Sequence, residues 1–264
     1  MRRFVQLLEH EFRMSIRRLS LWLAYGSLFV FYSVVLFAPP PLGEMTPGET
    51  ISRGEVWSVA GRFMVALNVY FPVAVGLLTT DRLQRDFRLG LRELQASTPL
   101  GLPSYLAAKY LGVLASFLLP LFAWVIGVVT VMVMIGHAPV DLLLASPVAF
   151  LAITVPAFAF VAAFSLACPL AMPQSVYQIL FTGYWFWANF IPPQVFPTLN
   201  GTLLTPSGIF ALQGFFGGQT LRTSSDALLY TSGDAILNLA VLAGSSLLAL
   251  VLLERYLALR ERRA

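Results

Sequence analysis

A series of apolar runs restricts this chain more than any other feature: residues 21–37, 57–78, 106–135, 144–167, 176–191 and 235–253, none containing an aspartate or glutamate. About 20 such residues are what a helix needs to cross the hydrocarbon core of a bilayer. Only 11% of the residues are charged and 58% are hydrophobic, where soluble domains carry roughly 25% charged residues. The chain therefore lacks the polar surface that a water-soluble fold requires. The expectation is an all-α integral membrane protein with six transmembrane helices, residues 1–264 forming one transmembrane domain without internal repeats. Cys168 is the only cysteine, so no disulfide forms within the chain. Arg2 and Arg3 imitate the basic start of a secretory leader. A further stretch through Arg18 precedes the first apolar run, however, and Ala38-Pro39-Pro40-Pro41 makes a poor cleavage site, so this span is expected to stay.

Six spans put residues 1–20, 81–109, 168–174 and the C-terminal tail on one side of the membrane. That side carries fourteen of the seventeen Lys+Arg, leaving Arg53, Arg62 and Arg222 to the other. Basic loops translocate poorly. Both termini and the 81–109 segment are therefore expected in the cytoplasm, on a multi-pass protein of the cell membrane.

Three connecting segments stand out. In the first, Phe4, Leu7, Leu8, Phe12, Ile16 and Leu19 recur at helical spacing opposite Glu9, Arg13, Arg17 and Arg18. This is the pattern of an amphipathic helix in the headgroup layer, or else of a cytoplasmic extension of the first span. Residues 192–234 form a long apolar connection containing Leu203, Leu204, Ile209, Phe210, Phe215 and Phe216. They read as short helices dipping into the outer leaflet, which is permitted where protein covers their backbone; a disordered loop is the alternative. The third segment, 81–109, gathers Asp81, Arg82, Arg85, Asp86, Arg88, Arg92, Glu93, Tyr105 and Lys109, with Leu89, Leu91 and Leu94 on one side. Such an island is expected in water at the bilayer surface, where it offers a partner a compact knob of mixed charge. Alternatively, its arginines do no more than fix orientation.

Chemistry has little to work with. The phosphate-cradling pattern G-x-x-x-x-G-K-[ST] needs a lysine after a glycine, and the only lysine, Lys109, follows Ala108. Any ATP-driven work thus falls to another polypeptide. His10-Glu11 starts a zinc-protease pattern, but Met14 holds the place of the second histidine. The spans contain no histidine to act as a base for a hydrolase. The reading is of a chain that is not an enzyme, with no cofactor or metal of its own. Spans without carboxylates also argue against self-powered ion-coupled transport. In the fifth run, Tyr184, Trp185, Trp187 and Asn189 form part of an interfacial aromatic belt, or line a substrate path with flat apolar surface and a few hydrogen bonds. Asn68 in the second run has the same two kinds of reading, a path residue or a helix-to-helix hydrogen bond.

The succession Arg85-Asp86, Gly90, Leu91-Arg92-Glu93-Leu94, Ser97-Thr98-Pro99-Leu100, Tyr105-Leu106 and Lys109-Tyr110-Leu111-Gly112 resembles the signature of type-two ABC transporter permeases. In that family a glycine, a leucine-rich Glu-Leu step, a small-residue-plus-proline turn and a lysine–glycine lead into the third span follow in this order. Arg92 and Gln95 stand where more apolar or acidic residues are common. The resemblance extends over essentially the whole chain. It implies an amphipathic elbow helix in residues 1–20, a cytoplasmic coupling helix within 81–104 between spans 2 and 3, and re-entrant helices within 192–234 before span 6. It further implies two permease copies, identical or related, on two copies of a separate ABC ATPase subunit that carries ATP and magnesium. In this reading Phe87, Leu91 and Leu94 supply apolar contact with the ATPase, and Arg85, Asp86, Arg88, Arg92 and Glu93 set its register. The expected function is that of the permease subunit of an ATP-driven exporter of hydrophobic or amphipathic molecules, in contact with membrane lipids and with no nucleic-acid partner. An ATP-independent channel or lipid facilitator, and a membrane assembly or scaffold subunit, are the other two classes.

Overall fold

A computed structural model describes residues 2–37, 51–89, 101–193, 195–218 and 230–261 of the chain. Among these residues every regular element is helical, as expected where no water is present to satisfy a backbone. The helices are α1 (Arg2–Ile16), α2 (Leu19–Phe37), α3 (Val56–Leu67), α4 (Phe71–Thr79), α5 (Asp81–Arg88) and α6 (Leu102–Met134). After them come α7 (Leu142–Ala149), α8 (Val155–Ala167), α9 (Gln174–Phe190), α10 (Ile209–Phe216) and α11 (Ser232–Glu261). Five stretches are long and apolar enough to cross a membrane: Leu19–Phe37, Arg53–Asp86, Leu102–Met134, Leu142–Leu170 and Ser232–Arg260. The expected fifth span is α9, which at 17 residues falls short of that length.

Two expected spans are not plain helices. The second is interrupted at residues 68–70, between α3 and α4. Pro72 in the first turn of α4 explains the position, because proline donates no hydrogen bond and its ring crowds the carbonyl four residues back, that of Asn68. The fourth carries a π segment, Phe150–Thr154, between α7 and α8. The kink expected at Pro156 is met by this wider turn, and Pro156 itself falls in the first turn of α8. At the amino end, α1 and α2 are separate helices parted at Arg17 and Arg18, so the first is no extension of the first span. Of the expected helices in residues 192–234, α10 is described; residues 219–229 lie outside the described set.

Leu142–Leu170 is the central post of the bundle, with 61% of its most apolar window buried against 17% for Leu19–Phe37. Helices α3, α4, α6, α10 and α11 all lean on it. An aromatic cluster of Tyr25, Phe29, Tyr32, Phe71, Phe117 and Trp124 seals α2 against α4 and α6. At one end of the bundle, Leu83, Tyr105, Leu106, Leu166, Leu253 and Leu257 form a second, smaller core. This core gathers α5, the start of α6, and the ends of α8 and α11. At another, the Ile51 amide donates to the His137 carbonyl at 3.0 Å and Trp57 stacks on Phe216.

Two glycines set close crossings. At Gly112 a Cβ would stand 2.8 Å from Glu11 Cβ and 3.0 Å from the Leu8 carbonyl, so α1 lies backbone-close across α6. At Gly76 the Phe181 ring occupies the space a Cβ would need, which seats α9 on α4. Gly76→Ala should push that ring aside and lower stability by about 1–3 kcal/mol. Phe181→Leu in the same chain should restore part of the loss, with thermal unfolding in detergent reading both.

Candidate functional site: an ion cluster joining three helices

The charged island does not lie wholly in water. Arg82 and Asp86 on α5 and Lys109 on α6 are 2%, 4% and 0% exposed. For Asp86 and Lys109 the physical reason is their partners. Lys109 Nζ sits 2.7 Å from Glu11 Oε1 on α1 and 2.7 Å from Asp86 Oδ2 on α5. The Tyr105 hydroxyl donates to the same Asp86 oxygen, and the lysine rests against the Tyr105 ring. Tyr105, Lys109 and Gly112 recur at spacings of four and three on α6, so a single stripe supplies the phenol, the ammonium and the gap that admits α1.

A second pairing lies beside the first. Arg18, in the break between α1 and α2, donates from Nη1 to both carboxylate oxygens of Asp81, at 2.9 and 3.0 Å. Ser15 closes the buried face of α1 through its own donation to the Glu11 carbonyl at 2.7 Å. Three acids (Glu11, Asp81, Asp86) and three bases (Arg18, Arg82, Lys109) thus stand together at one end of the bundle. They tie α1 and the start of α2 to α5 and α6. Desolvating such ions is expensive, so their value lies in geometry, and removing one partner costs far more than the intact set contributes.

Of the expected coupling residues, Arg85 is exposed and Asp86 is locked in the cluster. Phe87 and Arg88 complete α5 as backbone. Leu91, Arg92, Glu93 and Leu94 lie outside the described residues. Sequence reasoning missed Glu11 and Arg18 as partners. The available signal was Glu11 in register with Leu8 and Ser15, an acid on an otherwise small and apolar edge, facing a chain with a single lysine.

Two of the candidate path residues, Asn68 and Trp185, meet at the break between α3 and α4. Asn68 is fully buried and donates from Nδ2 to the Ile153 carbonyl at 3.2 Å and the Ser207 carbonyl at 3.3 Å. One acceptor belongs to the π segment and the other to the turn before α10. Trp185, also fully buried, donates to the Val69 carbonyl at 3.0 Å, and Tyr32 donates to the Ala66 carbonyl. Asn189 is buried but bonds back along its own helix, to the Trp185 carbonyl at 2.8 Å. Tyr184 and Trp187 are half-buried and face each other across 6.3 Å. The structure therefore brings Asn68 and Trp185 to one place as staples of a broken helix, with Asn189 one turn beyond.

Among the described residues no group of three His, Cys, Asp or Glu is placed to hold a metal. Comparison with protein-family models, with curated proteins and with solved structures gives no match for this chain. Lys109→Met should strand two buried carboxylates and cost about 3–5 kcal/mol. Adding Glu11→Gln and Asp86→Asn should recover part of that loss in the same thermal unfolding measurement, since no stranded carboxylate then remains.

Proposed function

We propose that this chain is the permease subunit of a type-two ABC exporter, with six spans, both termini in the cytoplasm, α1 as the elbow and α5 opening the coupling segment. The observation that carries the reading is the seat of α5. It begins just after the last turn of α4, and its half-buried Asp81 and buried Asp86 are clamped to Arg18 and to Lys109 on α6, while Arg85 faces outward.

A force applied to residues 81–104 from the cytoplasm has nowhere to dissipate in such a seat. The ion cluster passes it to α1 and α6, and the short step from α5 to α4 passes it into the interrupted second span. ATP-driven closure of a partner ATPase pair would supply that force, and packed helices would convert it into a change of access. Exposed apolar side chains along α2, among them Leu23, Val30, Phe31 and Val34, suit lipid or a second permease copy. Spans without carboxylates suit a hydrophobic or amphipathic cargo better than an ion, and the seam of Asn68, Trp185 and Asn189 is the polar relief along its route.

Two experiments test this. In a Cys168→Ala background, Arg85→Cys should react with an impermeant maleimide only from the cytoplasmic side, and Arg53→Cys only from the outer side. The opposite pattern overturns the topology. Replacing Leu91 and Leu94 by Asp should abolish ATPase stimulation in vesicles holding the chain and its ATPase, with elution of the folded protein unchanged; undiminished turnover discards the coupling assignment. Flux in vesicles without any P-loop protein would mark a facilitator, and absence of flux with the ATPase present would mark a scaffold.

A further inference from the structure

The ion cluster contains groups that the pairings above leave unused. Arg82 Nε and Nη1, Arg18 Nη2 and Glu11 Oε2 are buried without a hydrogen-bond partner. Each unmade bond of this kind costs about 1–3 kcal/mol, more where the group is charged. A bound anion or water does not explain them, because the same atoms have essentially no accessible surface for anything to touch. The cluster nevertheless holds donors and an acceptor that suit each other. Arg82 is close enough to feel the charges of both Glu11 and Arg18, and it stands one helical turn before Asp86, on the same face of α5.

We propose that the cluster has a second arrangement, in which Arg82 on α5 donates to the free Glu11 Oε2 on α1, and that displacement of α5 switches between the two. Lys109 keeps Glu11 Oε1 throughout, so Glu11 becomes the shared post of α5 and α6. In the present arrangement, the ion pairs among the described residues link α1 to α5 through Lys109 and, just beyond the end of α1, through Arg18. In the second arrangement the two helices are joined directly and move as one body. Packed side chains with two discrete pairings favour such a switch over a gradual deformation. Arg82 is then a positioning residue, silent in one state and binding in the other. The inference concerns this chain alone and stands whether or not an ATPase supplies the push.

The test uses the full chain in lipid nanodiscs without a partner, in a Cys168→Ala background, with spin labels at Gln6→Cys on α1 and Leu89→Cys just past α5. Pulsed dipolar spectroscopy should show two distance populations. Arg82→Met should remove one of them, reducing it about tenfold or more, as loss of the pairing that stabilises a minor state predicts. Arg82→Lys, which keeps charge and reach, should retain both. The melting temperature of Arg82→Met should hold or rise, because the arrangement seen here draws no hydrogen bond from those nitrogens. A single distance in the parent protein, or an Arg82→Met chain that melts earlier with its distances unchanged, overturns the proposal and makes Arg82 a purely structural residue.

Discussion

Within a bilayer, a polar group that the protein does not satisfy goes unsatisfied, and the architecture of this chain follows from that constraint. Where the second and fourth expected spans depart from a plain helical ladder, side chains from other elements answer the freed carbonyls. The interruption at residues 68–70 is met by Tyr32 from α2 and Trp185 from α9. Asn68 repays the service to the π segment and to the turn before α10. Four otherwise separate pieces of the bundle are thereby registered at one depth. Apolar packing alone does not do this, because lipid chains are as apolar as the side chains that would replace them.

The charged end of the bundle obeys the same rule with higher stakes. Glu11 and Lys109 are 98 positions apart in sequence and meet at 2.7 Å. The meeting requires α1 to lie almost in backbone contact with α6, and Gly112 makes that approach available. A helix that floated away in the headgroup layer would take from Lys109 one of its two carboxylate partners and leave it only Asp86. The ion and the glycine are thus two halves of one device. It makes α1 part of the bundle, and through Lys109 it ties α5 to the same place.

Much of this was legible from residue patterns. Apolar length placed α2 and α6 within a few residues, while α11 continues eight residues past the apolar run into the basic tail, and the basic polar face of residues 3–19 marked a separate first helix. Pro72 was the readable cause of the interrupted second span, but it sits in an unbroken apolar run, and hydropathy averages over such a break. Pro156 gave a correct warning of irregularity without saying that a π turn would absorb it. Trp185 and Asn68 were visible as oddities, yet their roles depend on carbonyls freed elsewhere in the chain, which no local pattern encodes. The ion cluster was hidden for the same reason. Charge placement speaks of sides of a membrane, whereas burial of Arg82, Asp86 and Lys109 depends on which helix crosses above them.

Burial of the one lysine also gives the molecule an unusual surface chemistry. Lys109 is the only side-chain amine in the chain, and it is wholly enclosed. Reagents that acylate amines therefore find no lysine side chain to modify in the native fold. Any acylation of Lys109 would report that α1 had lifted from α6, so the residue serves as a built-in gauge of whether that seam is closed.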